Sequence, residues 1–332
     1  MPHMPNTKIC FTSLSFFVFS HTFIAQASVK SIEPQIQDFS REDIYGKTCT
    51  KDFTLDLDKN TQLKCLLSEP CNGGLKENAQ PVWFLQGLAG VGKAYEHWLR
   101  YFAKRGNPTF TCDIPGVDYP AYKPFREAWY SFGSSSLALW WMIKTGEDRF
   151  LEGFKILNKI VPLLDKKVYT LFSKPVNSIE NGLILAGHSL GSIYSLGFAG
   201  VLTHKGYEKA SFPVKSMVLL SPPEHDSFGF TSEAFKHVSD PAIFISGSED
   251  DPEDRLEGFF EISSDKAMLA SFKDVHHLSF SVNPRKEMSW NPHIGKIMGV
   301  VEFFLNESNE FKEKKEINFN ETSFNETIFA IK

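Results

Sequence analysis

The chain has 332 residues, 42% of them hydrophobic and 23% charged, with a formal net charge of −5. This is an ordinary globular composition, long enough for one large α/β domain or two modest ones. So mild an acidic balance gives no reason to expect nucleic acid or an anionic membrane surface as a partner. The 31 Phe residues are spread along the chain and point to a large aromatic core.

At the start of the chain, Lys8 precedes an apolar stretch from Ile9 to Phe19, and Ala25-Gln26-Ala27 follows in an A-x-A arrangement. This is the pattern of a secretory signal peptide, residues 1–27, cleaved after Ala27. A retained membrane anchor is the competing reading, but the run is shorter than the ~20 residues a span needs and is interrupted by Ser and Thr. No second segment approaches that length. The expected location is therefore secreted or periplasmic, with no integral membrane segment in the mature form.

Cleavage would remove Cys10 and leave Cys49, Cys65, Cys71 and Cys112, an even number that allows two disulfides in three connectivities. Cys49 and Cys65 sit in neighbouring predicted strands and could face each other, but the sequence does not pair them. A metal site is the less favoured use, because no spacing is C-x₂-C and no His pair accompanies the cysteines. No metal or other cofactor is expected, and oligomeric state has no signal in the sequence.

From Thr48 to Leu67, two β-type runs flank Asp58-Lys59-Asn60 and predict a hairpin. After a Gly- and Asn-containing connector, Pro81-Val82-Trp83-Phe84-Leu85 is a short continuous apolar run, as expected of a strand buried on both faces. It ends in the glycine-rich turn Gln86-Gly87-Leu88-Ala89-Gly90. Tyr95, Trp98, Leu99 and Phe102 fall at i, i+3, i+4 and i+7 and predict a helix that stops at Gly106. Thr109 to Ile114 is the next strand.

A long stretch, Val117 to Asn181, precedes the strand Leu183-Ile184-Leu185-Ala186, and a helix is predicted from just after Ser189 to about His204. Further strands at Ser216–Leu220, Ala242–Ile245 and near Lys266–Phe272 follow, the last leading to His276-His277. Asn291 as N-cap and Pro292 at the first helical position open a closing helix that runs to about Leu305. Strands alternating with helices predict an α/β fold, a mostly parallel sheet flanked by helices on both faces. The polar segment 306–332, with the charge run Lys312 to Glu316, reads as a frayed C-terminal tail rather than a domain. It holds N-x-S/T sequons at Asn306, Asn320 and Asn325.

Gly187-His188-Ser189-Leu190-Gly191 lies between an apolar strand and a helix. In that setting a G-x-S-x-G pattern has a physical meaning. The sharp turn strains the serine backbone, the glycines let strand and helix approach, and the hydroxyl stands clear of the sheet edge beside a helix N-terminus. At this point the chain resembles the α/β-hydrolase family, from about Thr48 to Leu305. The matching pieces are Gln86-Gly87-Leu88-Ala89-Gly90, Asp113-Ile114-Pro115-Gly116, Gly187 to Gly191, Gly247-Ser248-Glu249-Asp250 and His277-Leu278-Ser279-Phe280, in the family's order.

The resemblance implies a nucleophile at Ser189, a base at His277 and an acid at Asp250, since a serine hydroxyl needs a base within hydrogen-bond reach. His276 is the alternative base. Asp251 and Glu249 are rivals for the acid, and Glu224 and Asp226 are lesser ones. His188 is expected to pack beside the strand rather than titrate. The resemblance places an oxyanion hole at the backbone N–H groups of Leu88 and Leu190. The chain departs from the family there, with Gln86-Gly87 where His-Gly is usual.

Segment 117–181 is longer than the family's usual link. It holds Leu137 to Met142 and a helical pattern through Phe150, Leu151, Phe154, Leu157 and Val161. It reads either as a helical cap with an apolar acyl pocket or as an extra helix whose stripe is core. The expected function is an exported serine hydrolase acting on a small-molecule or lipid ester. A peptidase or thioesterase would use the same residues, and a non-catalytic binding protein on the same scaffold is the alternative class.

Overall fold

The computed structural model describes residues 37–71, 74–75, 79–88, 90–116, 150–163, 172–173, 179–223, 230–281, 291–308 and 327–331. The signal-peptide residues, Leu137 to Met142, Glu224, Asp226, Asn320 and Asn325 lie outside them.

In chain order the strands are β1 (Thr48–Asp56), β2 (Gln62–Pro70), β3 (Val82–Leu85), β4 (Thr109–Cys112), β5 (Leu183–His188), β6 (Val214–Leu220), β7 (Ala242–Glu249), β8 (Ala267–His276) and β9 (Thr327–Ile331). The helices that matter below are α1 (Arg41–Tyr45), α2 (Glu96–Lys104), α3 (150–163), α4 (Leu190–Ala199), α5 (Pro252–Glu261) and α6 (Pro292–Glu307). The strands form one sheet in the order β1-β2-β4-β3-β5-β6-β7-β8-β9. From β4 across to β8 every pairing is parallel, while β1, β2 and β9 are antiparallel to their neighbours.

The central strands are apolar at nearly every position because both faces are covered, and successive side chains feed two separate cores. Trp83, Leu85, Leu185, Met217, Leu219 and Phe244 belong to one core, which is covered by residues of α3, α4 and α5. Val82, Phe84, Ile184, Ala186, Val218, Leu220, Ile243 and Ile245 belong to the other, covered by α1, α2 and α6. Of the two readings of the 117–181 insertion, α3 fits the second. Phe150, Phe154, Leu157 and Ile160 are buried in the first core. Phe150 stacks on Tyr194 of α4, with ring centroids 5.0 Å apart. Each such side chain contributes roughly 1.5–3 kcal/mol by leaving water.

The chain departs from its sequence expectations at several boundaries. The helix after Ser189 stops at Ala199, because Gly200 turns to φ 118°. A short 3₁₀ segment, Val201–Lys205, follows it. The end of the tail is a strand: Thr327–Ile331 pairs with Phe272–Met268 of β8, an edge that its β-type Thr-Ile-Phe-Ala-Ile run can join.

Cys49 and Cys65 do not face each other, because hairpin register sets Cys49 opposite Glu69 and Phe53 opposite Cys65. The disulfides are Cys49–Cys71 and Cys65–Cys112, the second between direct partners of β2 and β4. The Cys65–Cys112 bridge closes a sequence separation of 47 residues. Chain entropy then assigns it about 4 kcal/mol. Urea unfolding of a Cys65→Ser/Cys112→Ser variant is expected to show a loss of several kcal/mol, and a loss below about 1 kcal/mol would contradict that role.

Candidate active site

Three parallel strands end along one edge of the sheet, and the loops after them carry the polar groups. β5 ends at His188, and Ser189 turns the chain into α4 with φ 53° and ψ −120°. That conformation is costly for a residue with a Cβ. Ladder geometry holds it, since the Ser189 N–H donates to Leu220 O at 2.8 Å. The glycines on either side are obligatory for packing reasons. A Cβ on Gly187 would overlap the Gly191 carbonyl, and one on Gly191 would overlap the Leu85 carbonyl of β3.

After β7 the chain reaches Asp250, and after β8 it reaches His277. A Cβ on Gly247 would overlap the Val275 carbonyl, so β7 and β8 approach closely there. Their register then shifts between Gly247 and Glu249, a bulge that redirects the following residues. His277 Nε2 lies 3.0 Å from Ser189 Oγ, and its Nδ1 lies 3.1 Å from Asp250 Oδ1. A carboxylate only accepts, so Nδ1 carries the proton and Nε2 is free to accept from the serine hydroxyl. His277 is partly exposed, with 32% of its side chain accessible, while Asp250 is buried.

The rivals lie elsewhere. His276 is exposed, and its Nδ1 accepts from Leu278 N at 3.2 Å. Glu249 and Asp251 are exposed. Asp250 has further partners that sequence reasoning missed. Arg255 of α5 forms an ion pair with it, Nε to Oδ1 2.7 Å. Ser246 Oγ donates to Oδ2 at 3.5 Å, and Ser221 Oγ donates to the same oxygen. Arg255 was findable in principle, one helical turn beyond Asp251 in a helix opened by Pro252. The two serines look like any strand residue.

His188 does pack beside the strand, and its bonds identify its tautomer. Its Nε2 is 2.9 Å from His277 O, a pure acceptor, so Nε2 carries the proton and donates. Its Nδ1 then accepts from the Tyr95 hydroxyl at 2.9 Å, and the Tyr95 oxygen accepts from Gly87 N at 3.2 Å. One chain of hydrogen bonds thus joins the glycine turn, the Ser189 turn and the His277 loop. Gly90 N donates to Gly87 O at 2.9 Å, closing a turn that contains Leu88. Leu190 opens α4, so its N–H is one of the four that have no acceptor within the helix. Gln86 is buried, and among the described residues neither amide atom has a hydrogen-bond partner.

Burial holds His188 well below the usual histidine range, with the neighbouring His277 charge acting in the same direction. Burial also pulls His97 of α2 down to about 3. Both stay neutral in the folded chain while their unfolded counterparts protonate near pH 6.5. The unfolded state therefore binds more protons below that pH, and stability is full above it and lost as pH falls. Each contributes a loss of about 1 kcal/mol between pH 7 and 5.5. Urea midpoints are expected to show His97→Phe losing roughly half of this pH dependence. An undiminished slope would refute the assignment.

Tyr95→Phe leaves Gly87 N–H and His188 Nδ1 without their shared partner. A stability loss of about 1–3 kcal/mol is expected in the same assay, and a neutral effect would show that the hydroxyl is dispensable.

Among the described residues, no group of three or more His, Cys, Asp or Glu side chains is placed to hold a metal ion. No protein-family model and no curated protein matches the chain. Solved structures share its fold. A fungal esterase from Rhizomucor miehei superposes with a TM-score of 0.51 at 11% identity, covering 82% of this chain and 86% of that one. A dienelactone hydrolase from Anabaena variabilis gives a TM-score of 0.49 at 15% identity, covering 78% of this chain and 98% of that one.

Proposed function

On the α/β-hydrolase fold that this chain has, we propose a secreted serine hydrolase that cleaves a carboxylic ester through an acyl-serine intermediate. The observation that carries the reading is the continuous line from Ser189 Oγ to His277 Nε2 and from His277 Nδ1 to the Asp250 carboxylate. In the proposed reaction His277 takes the Ser189 proton as Oγ attacks the ester carbonyl carbon. Asp250 holds the imidazole in the required tautomer and stabilises its cation without itself taking the proton.

The negative charge that develops on the carbonyl oxygen meets the N–H groups of Leu190 and Leu88. The family's usual His-Gly is replaced here by Gln86-Gly87, but a main-chain donor does not depend on that side chain. Collapse expels the alcohol, which collects its proton from His277. Water, deprotonated by His277, then attacks the acyl carbon and releases the acid and Ser189.

Export is supported by the two disulfides, which persist in oxidising compartments. Among the described residues no helix is long and apolar enough to cross a membrane. A hydrophobic ester is supported by Leu278, which follows His277 directly and is 63% exposed beside it. An esterase is also among the solved structures that share the fold. The α3 stripe lends no support to an acyl pocket, because it is core.

The test is fluorophosphonate labelling together with turnover of a chain-length series of p-nitrophenyl esters. The parent is expected to label and to favour longer acyl chains, with Ser189→Ala unlabelled and at least about 10⁴-fold slower. Labelling that survives Ser189→Ala would refute the nucleophile. An unlabelled parent would favour a binding protein on the same scaffold, and faster turnover of matched amides or thioesters would move the substrate class to peptides or thioesters.

A further inference from the structure

We infer that Ser221 is a positioning residue of this site, whose hydroxyl bridges the base and the acid. The inference rests on the reading of Ser189, His277 and Asp250 given above. Ser221 Oγ lies 2.6 Å from His277 Nδ1, nearer than the 3.1 Å that separates Nδ1 from Asp250 Oδ1. The same hydroxyl donates to Asp250 Oδ2. Its single proton is thereby committed to the carboxylate, so towards His277 it can only accept. The Nδ1 proton is shared between Ser221 Oγ and Asp250 Oδ1, and the imidazole is held at two points rather than one.

The backbone at Ser221 is set against its local preferences. The residue is fully buried, follows the last residue of β6 and has φ 48°. A left-handed φ is disfavoured for a residue with a Cβ. The ladder continues one step to hold it, with Ser221 N donating to Ile245 O at 2.6 Å. A glycine would adopt this conformation without strain. A strained serine at a buried strand end, with its hydroxyl between two ionisable groups, is accounted for by what the hydroxyl does there.

In the acylation step the Ser189 proton moves to His277 Nε2 as the Oγ–carbon bond forms. The Nδ1 proton stays on the imidazole and the Ser221 proton stays on Ser221, so no proton passes through the bridge. Its contribution is to orient the ring and to accept from the imidazolium. Losing one such hydrogen bond to a charged group lowers kcat by about tenfold without changing KM.

The experiment compares p-nitrophenyl ester kinetics, fluorophosphonate labelling and thermal unfolding in Ser221→Gly, Asp250→Asn and the double variant Ser221→Asp/Asp250→Asn. Glycine removes the hydroxyl and relieves the strain together. Strain relief is set against the donor lost to Asp250, so Ser221→Gly is expected to stay within a few degrees of the parental unfolding temperature while kcat falls about tenfold at unchanged KM. Aspartate is among the residues with a Cβ that best tolerate positive φ. The double variant places a carboxylate against Nδ1 and is expected to regain at least about tenfold over Asp250→Asn. A structural serine predicts no such rescue.

A Ser221→Gly variant with parental kcat overturns the inference, and so does a double variant no faster than Asp250→Asn alone. A parent that neither labels nor turns over ester overturns the reading of Ser189 itself, and the bridge with it.

Discussion

Where β5 gives way to α4, Gly191 lies so close to the Leu85 carbonyl of β3 that a single methyl group there would overlap it, and Gly187 stands in the same relation to Gly191. This approach of helix to sheet bends the chain at Ser189 into a left-handed conformation and sets its hydroxyl above the sheet edge. It also sets the N-terminus of α4 directly beside that hydroxyl. Every other group at the site is positioned against this turn. A bulkier residue at 187 or 191 would lift α4 and move Ser189 away from His277, whose loop is anchored independently through β8. α4 is buried along its whole length, with Phe150 and Phe154 of α3 packed on its Tyr194 and Phe198.

Two imidazoles with centroids 4.8 Å apart occupy very different environments at this turn. His188 is sealed from water, donates from Nε2 to the His277 carbonyl and accepts at Nδ1 from Tyr95, so both ring nitrogens are committed while it is neutral. Charging it would put a cation in an apolar setting next to a second histidine, and it would turn Nδ1 into a donor and deprive the Tyr95 hydroxyl proton of its acceptor. His277 is partly open to solvent and faces a hydroxyl on one side and a carboxylate on the other. The buried ring therefore serves as a neutral strut that links the Gly87 turn to the His277 loop.

The acidic end of the site is assembled from separate elements. Asp250 is met by Ser221 beyond β6, Ser246 within β7, Arg255 on α5 and His277 beyond β8. A carboxylate buried this far needs partners for all its lone pairs, and a cation among them offsets the loss of water. The carboxyl ends of adjacent parallel strands lie side by side, which is why such groups converge on this edge of the sheet. The bulge between Gly247 and Glu249 adds the last adjustment, since an unbroken β7–β8 ladder would keep the residues after Gly247 in strand register.

Much of this architecture was legible along the chain. Apolar runs such as Val82 to Leu85 declare strands buried on both faces, because a sheet covered by helices has no polar side. Gly187 to Gly191 declares its turn because only glycine permits so close an approach of helix to strand. The order of Ser189, Asp250 and His277 follows from the order in which parallel strands end. The cysteine pairing was not legible, because it depends on hairpin register and on β4 arriving beside β2. The fate of the Phe150–Val161 stripe was equally hidden, since a core face and a pocket wall have the same periodicity.

Ser221 and Tyr95 carry no mark in the chain that separates them from ordinary strand and helix residues. They meet Asp250, His277 and His188 only because the sheet brings together positions 29 to 93 residues apart. Local sequence can specify a backbone that bends at Ser189, because sterics act between near neighbours. Which hydroxyl then reaches a buried carboxylate or imidazole depends on distances between chain-remote atoms, and those exist only once the strands have paired.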